Sequence, residues 1–309
     1  MTTSLKGKVI AVTGAGRGIG RAVARLAAAE GASVVVADHG GAVSARAVPS
    51  PLVAAEVAAE ICAAGGQAVA CSEDVSAMSG GRRIVEAALD HYGRIDGMVC
   101  CAGIMVTKYL WELEEKEWDD VIAVHVKGHF SCFQAAARAM IPQGSGSLVA
   151  ISSAAAINAP PNLTAYCTAK AAILGLTFST ANALARHGIS TNCVMPNAST
   201  RMSDSYFGSV DCLSDQVGET LRASLAEGTY RDPALMAPVI AYLLSDAARD
   251  INGQVFQARG NEVQRLSPLN WGHTMASPEP WDIGTLAARL PQELGPDLKP
   301  PPIPWPEKA

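Results

Sequence analysis

The sequence predicts a doubly wound α/β fold, a single parallel sheet of about seven strands flanked by helices. Three observations predict it. Apolar, β-rich runs alternate with alanine-rich helical runs up to about residue 260, the order that builds strand–helix–strand units. The strand runs, such as Val9-Ile10-Ala11-Val12 and Val34-Val35-Val36, carry no polar alternation, as expected where helices cover both faces of a sheet. A glycine cluster from Gly14 to Gly20 separates the first strand from the first helix, where the chain must turn tightly.

In chain order, strands are expected at Lys8–Thr13, Ser33–Asp38, Gln67–Cys71, Gly97–Cys101, Ser147–Ser152, Ser190–Met195 and Gln254–Ala258. Helices are expected at Gly18–Gly31, Leu52–Ala64, Gly81–Tyr92, Glu114–Met140, Thr164–His187 and Pro233–Ser245. These elements place one domain over residues 1–267. Two segments break the rhythm. Gly40–Pro51 is a long connection where short links are the norm. Residues 268–309 are rich in proline and tryptophan, a composition expected to form neither regular helix nor sheet. This extension reads equally as a loose appendage or as an arm anchored by Trp271, Trp281 and Trp305 over its own site or a neighbouring subunit.

Composition excludes several classes. A hydrophobic fraction of 49% against 17% charged residues fits a buried core and not a disordered chain. The net charge of −5, with no Lys/Arg cluster, argues against nucleic acid as a partner. The eight cysteines show no CxxC pair or Cys/His spacing, so no metal site is expected, and they read as free thiols of a reducing compartment. Residues Met1 to Lys8 lack the order of a signal peptide, and charges or turn residues interrupt every apolar run. A cytoplasmic protein with no membrane span is therefore expected.

The glycine turn reads Thr13-Gly14-Ala15-Gly16-Arg17-Gly18-Ile19-Gly20. Between a strand and a helix, such a turn brings backbone N–H groups and the positive end of the helix to an anion, here a dinucleotide pyrophosphate. Asp38 at the end of the second strand can accept both ribose hydroxyls of NAD and repel the 2′-phosphate of NADP. Arg17 pulls the other way, and NAD is the expected cofactor. Asp74-Val75 reads either as an adenine contact or as a turn aspartate beside a core valine.

Tyr166 and Lys170 lie four apart, on one helical face. A phenol titrates near ~10, and a nearby cation is expected to lower that value. Ser153, thirteen residues earlier at a strand end, can hold a substrate oxygen beside the phenol. With the glycine turn, these residues resemble the short-chain dehydrogenase/reductase family over roughly residues 5–260. The resemblance implies a Rossmann-type sheet and hydride transfer between a nicotinamide and a secondary alcohol or its ketone. It implies Tyr166 as general acid or base, with Lys170 also holding the nicotinamide ribose. Ser153 would orient the carbonyl, and Thr200 would hold the carboxamide end of the cofactor. It also implies a homodimer or homotetramer built on the helices of residues 114–140 and 164–187.

Three departures stand out. Cys100-Cys101-Ala102-Gly103 replaces the usual Asn-Asn-Ala-Gly beside the cofactor, with loss of the amide bonds that brace the strands. Val124-His125-Val126-Lys127-Gly128 carries a histidine where a catalytic asparagine is usual, and a water relay from His125 to Lys170 remains open. Pro196-Asn197 stands where Pro-Gly is usual. The last two, with Pro196 to Met202 and Asp38-His39-Gly40-Gly41, are similar to the branch containing the (3R)-hydroxyacyl-CoA dehydrogenase domain of type 2 peroxisomal multifunctional enzyme and its bacterial relatives.

The small-molecule substrate expected is therefore a 3-hydroxyacyl-CoA or similarly bulky secondary alcohol. A free steroid, terpenoid or cyclic alcohol is the alternative, and a non-catalytic dinucleotide sensor a third. Residues 203–232 are expected to cover the substrate, lined by Tyr206, Phe207, Leu213, Val217 and Leu221. Arg201, Arg222 and Arg231 read as cations for CoA phosphates or as plain surface charges.

Overall fold

The computed structural model describes residues 4–41, 49–207, 222–267 and 274–294. The chain divides into two compact units, Met1–Arg265 and Leu266–Ala309. In the first unit, β1 (Val9–Thr13), β2 (Ser33–Ala37), β3 (Gln67–Cys71), β4 (Gly97–Cys100), β5 (Gly146–Ile151), β6 (Ile189–Asn197), β7 (Val255–Arg259) and β8 (Glu262–Arg265) form one sheet. Its order is β3-β2-β1-β4-β5-β6-β7-β8.

The seven strands expected from sequence pair in parallel. β1, β4 and the last five residues of β5 are buried throughout, the burial that an unbroken apolar run requires. The structure adds β8, antiparallel to β7 with Arg259 opposite Glu262. A two-residue turn makes the hairpin, with Gly260 at φ +54 supplying the left-handed first position. All four β8 residues are exposed, so no apolar run marked this edge strand.

The crossover helices are α1 (Gly18–Ala29), α2 (Leu52–Ala63), α3 (Met78–Tyr92), α4 (Glu115–Ile122), α5 (Gly128–Gln143), α6 (Ala155–Asn158), α7 (Thr164–Leu184), α8 (Arg201–Phe207) and α9 (Ala237–Leu244). The helical stretch expected at Glu114–Met140 contains a π-helical turn, Ala123–Lys127, between α4 and α5. α5 then runs to Gln143 and ends where Gly144 takes φ +70. Of the helix expected at Pro233–Ser245, the part from Pro233 to Met236 is 3₁₀.

α7 buries Ala165, Tyr166, Ala169, Lys170, Ile173, Leu174, Thr177, Ala181 and Leu184. These positions fall on one stripe of a 3.6-residue helix. Burying a side chain such as Ile173 stabilises the fold by roughly 1.5–3 kcal/mol, and this stripe carries Tyr166 and Lys170 inward with it. On the sheet, strand order reverses between β1 and β4. Such a switch point opens a crevice at the strands' carboxyl ends.

In the second unit, the sequence expectation of no regular structure is corrected. α10 (Ile283–Glu293) is helical. The Asp282 carboxylate caps it by accepting from the Thr285 backbone N–H at 2.9 Å. Its one proline, Pro291, falls in the last turn, so eight residues propagate before the proline. Arg289 stacks over the Trp281 ring, 4.9 Å from its centroid. Trp271 and Trp305 lie outside the described residues.

Candidate active site

Three glycines of the turn after β1 each meet one element of the site. Gly14 has φ +64, and a Cβ there would stand 2.8 Å from the backbone N and Cα of Ala102. A Cβ on Gly16 would meet Asp38 Oδ2 at 2.9 Å. Gly18, at φ +52, lies under the Thr200 side chain. The turn thus gathers the ends of β1, β2, β4 and β6 at the switch point. Gly20 faces the Gly14 carbonyl, where no side chain fits, and Ile19 packs on the core.

No side chain caps α1, and its first turn holds no acidic residue. Its N–H groups and dipole are therefore available to an anion. These features fit a dinucleotide pyrophosphate.

The Asp38 carboxylate accepts from Gly16 N–H at 2.9 Å and from Gly40 N–H at 2.7 Å. It braces the loop it ends. Arg17 Nη1 donates to the Gly41 carbonyl at 3.3 Å. Arg201 shares this neighbourhood. Burial and the Arg17 guanidinium lower its pKa, and Asp38 opposes them. The Asp74 carboxylate is taken by Ser76, through backbone N–H and hydroxyl, both at 2.8 Å, while Val75 is buried against Gly128. Asp74 thus closes its own turn with Ser76. Thr200 N–H donates to Ser203 Oγ at 2.6 Å, which starts α8.

The Cys100-Cys101 replacement has its own bracing. Thr13 Oγ1 accepts from Cys101 N–H at 3.1 Å and Ala102 N–H at 3.2 Å. Burial, with Cys132 beside it, raises the pKa of the free Cys100 thiol well above the usual thiol value. Burial pushes Cys101 up to about 11 although Lys170 opposes it, so neither thiol is an activated nucleophile. Thr13 carries no motif signal and was missed.

Ser153, Tyr166 and Lys170 come together at the ends of β5 and α7. The Ser153 hydroxyl lies beside the Tyr166 phenol and accepts from Ala155 N–H at 3.2 Å. Lys170 Nζ lies 5.4 Å from the Tyr166 ring centroid and donates to the Ile151 carbonyl at 2.8 Å. Ser152 Oγ donates to the Lys170 carbonyl at 2.7 Å, pinning this turn of α7 to β5. The sequence expectation of a lowered phenol pKa is corrected. Burial pushes Tyr166 up to about 12, with Ser153 opposing. Lys170 is likewise lowered by burial, to about 8.

His125, on the π turn, is fully buried and meets the Tyr166 ring edge-on at 5.4 Å. Its Nε2 lies 2.7 Å from the Ile104 carbonyl and 3.2 Å from Ile104 N–H. One nitrogen cannot donate and accept at once, and the shorter contact favours Nε2–H. Burial and the Lys170 charge hold the ring well below the usual imidazole range, so it is neutral. A Cβ on Gly103 would collide with this ring, 2.5 Å from Cε1.

Arg231 Nη1 donates to Asn197 Oδ1 at 3.3 Å, tying the end of β6 to the next segment. Arg222 is exposed. Tyr206 is buried on α8. The Phe207 side chain and the expected lining residues Leu213, Val217 and Leu221 lie outside the described residues. Among the described residues, no group of three His, Cys, Asp or Glu could hold a metal ion, and no helix is long and apolar enough to cross a membrane.

Residues 8–207 match the family described as short chain dehydrogenase. Hydroxyacyl-CoA dehydrogenase ChsB1 of Mycobacterium tuberculosis is 36% identical, over 94% of this chain and 89% of its own length. A (3R)-3-hydroxyacyl-CoA dehydrogenase of Mus musculus is 35% identical, over 83% of this chain and 96% of its own. The crystal structure of a short chain dehydrogenase from Mycobacterium avium is 31% identical with a TM-score of 0.79, covering 94% and 96% of the two chains. With this match and this geometry, the chain belongs to the short-chain dehydrogenase/reductase family of nicotinamide-dependent oxidoreductases acting on CH–OH groups.

Proposed function

We propose that the protein is an NAD-dependent dehydrogenase of a 3-hydroxyacyl-CoA or similarly bulky secondary alcohol. The grouping of Ser153, Tyr166 and Lys170 beside the glycine turn carries the reading. The substrate class rests on the two similar proteins named as hydroxyacyl-CoA dehydrogenases.

With the dinucleotide bound, its nicotinamide would supply the hydride acceptor or donor. Gly14, Arg17, Gly18, Ile19 and Gly20 would hold the pyrophosphate. Asp38 would face the adenosine ribose, Asp74 and Val75 the adenine. Cys101, Ala102 and Gly103 would line the β4 side, and Thr200 the carboxamide end. Ser153 holds the substrate oxygen. Tyr166 removes the hydroxyl proton in oxidation and returns it in reduction. Lys170 orients the ribose and supplies positive charge to the buried phenolate, which burial alone disfavours. His125 braces the loop at Ile104, and its neutral ring packs on Tyr166. Asp38 supports NAD over NADP, since a carboxylate repels a 2′-phosphate. Exposed Phe130 and Ile141 on α5 support a homodimer or homotetramer. The free thiols support a reducing, cytoplasmic setting.

Steady-state reduction of NAD and NADP with a panel of 3-hydroxyacyl-CoAs and free secondary alcohols tests this. The highest kcat/KM is expected for a hydroxyacyl-CoA with NAD. A preference for free steroid or cyclic alcohols would replace the substrate class. Cofactor binding without turnover would overturn the enzymatic reading.

A further inference from the structure

One turn beyond His125, the same helix buries a second imidazole, His129, only 2% exposed. We propose that His129 is a positioning residue for Tyr166, acting through the π turn and the His125 ring. The proposal rests on the role given above to Tyr166.

Two contacts carry it. His129 Nδ1 lies 2.6 Å from the His125 carbonyl. A carbonyl only accepts, so Nδ1 carries the proton and donates. This side-chain bond reaches back one turn and holds the π turn, whose Gly128 N–H reaches five residues back to Ala123. The His129 Nε2 makes no hydrogen bond among the described residues. With Nδ1 protonated, a neutral ring presents a lone pair at Nε2.

Through His125, His129 fixes the ring packed edge-on to Tyr166. The titratable groups around it are His125 on its own helix, Lys170 from α7, and Cys100 from β4 with Cys132 beside it. Burial, then the Lys170 charge, pushes His129 down to about 3. The ring is neutral in the working range, so it acts by hydrogen bonding and shape.

The test compares His129→Phe, which keeps the ring and loses the donor, with His129→Asn, whose amide nitrogen can take the Nδ1 position. In His129→Phe, kcat is expected to fall about tenfold with KM for both substrates within about twofold. Its pH–kcat limb is expected to move by about half a unit or more. His129→Asn is expected to recover kcat to within about threefold and the native limb. Native kcat and pH profile in His129→Phe would overturn the proposal, as would equal impairment of both variants at native melting temperature. Independently of folding, ¹⁵N-histidine NMR of the native protein is expected to show His129 as the Nδ1–H tautomer. The Nε2–H tautomer would overturn the proposal. Tyr166→Phe, run alongside, separates the two readings. Full activity there removes the role given to Tyr166. An inactive Tyr166→Phe beside an unaffected His129→Phe removes only the role given to His129.

Discussion

Lys170 Nζ sits 5.4 Å from the centre of the Tyr166 ring, yet its hydrogen bond goes to the Ile151 carbonyl and the phenol stays above its ordinary pKa. The two groups are buried on one face of α7, and each is desolvated in its charged form. That shared burial sets the first two expectations.

Tyr166→Phe removes only the hydroxyl that exchanges the proton. Turnover is expected to fall by about 10²–10⁴-fold, the usual contribution of a positioned acid–base group. The fold should survive, because the ring still fills its place in the core. Steady-state kinetics beside a thermal melt checks both.

Lys170→Met should inactivate the enzyme and stabilise it. The ammonium titrates at about 8 in the fold against an ordinary 10.5. Below pH 8 the folded state keeps a buried charge. Between these values the unfolded chain holds more protons, so native stability rises with pH. Methionine removes the cost and also the bond to Ile151. A net gain of about 2 kcal/mol is expected at pH 7, shrinking toward pH 10. Urea melts at both pH values measure it, and an equal difference at both would contradict the assignment.

His125 is neutral at working pH, so no activity limb near the usual imidazole value should belong to it. His125→Asn should keep the pH profile. His125→Ala leaves the Ile104 carbonyl and the edge of Tyr166 unsupported, and should lose about 1–3 kcal/mol of stability. Denaturant midpoints and pH–rate profiles of both variants check this.

Gly14→Ala places a Cβ 2.8 Å from the Ala102 backbone at φ +64. Neither backbone can retreat without opening the β1–β4 junction. Cofactor affinity is expected to fall at least about tenfold, with a stability loss of about 1–3 kcal/mol. Cofactor fluorescence titration and a melt read the two effects.

Asp38→Asn keeps one oxygen for the loop N–H groups and removes the charge facing the ribose. The ratio of NAD to NADP kcat/KM should fall about tenfold or more. An unchanged ratio would remove Asp38 as the selector and turn attention to Arg17 and Arg201.

The strand–helix rhythm, the glycine turn, Asp38 and the Ser153–Tyr166–Lys170 grouping were legible because each is local. Apolar runs, a turn and a four-residue spacing are written in neighbouring residues. β8 and α10 were not read. The one is an exposed edge strand without an apolar run, and the other was hidden by the proline content around it. What only the tertiary structure decided is long-range. Thr13 became the brace for Cys101 and Ala102 because β1 and β4 are neighbours across 88 residues of chain. The neutrality of His125 and His129 and the raised phenol of Tyr166 come from burial. The sequence determined which groups meet the switch point. Desolvation, which depends on everything packed around a group, decided their charge states.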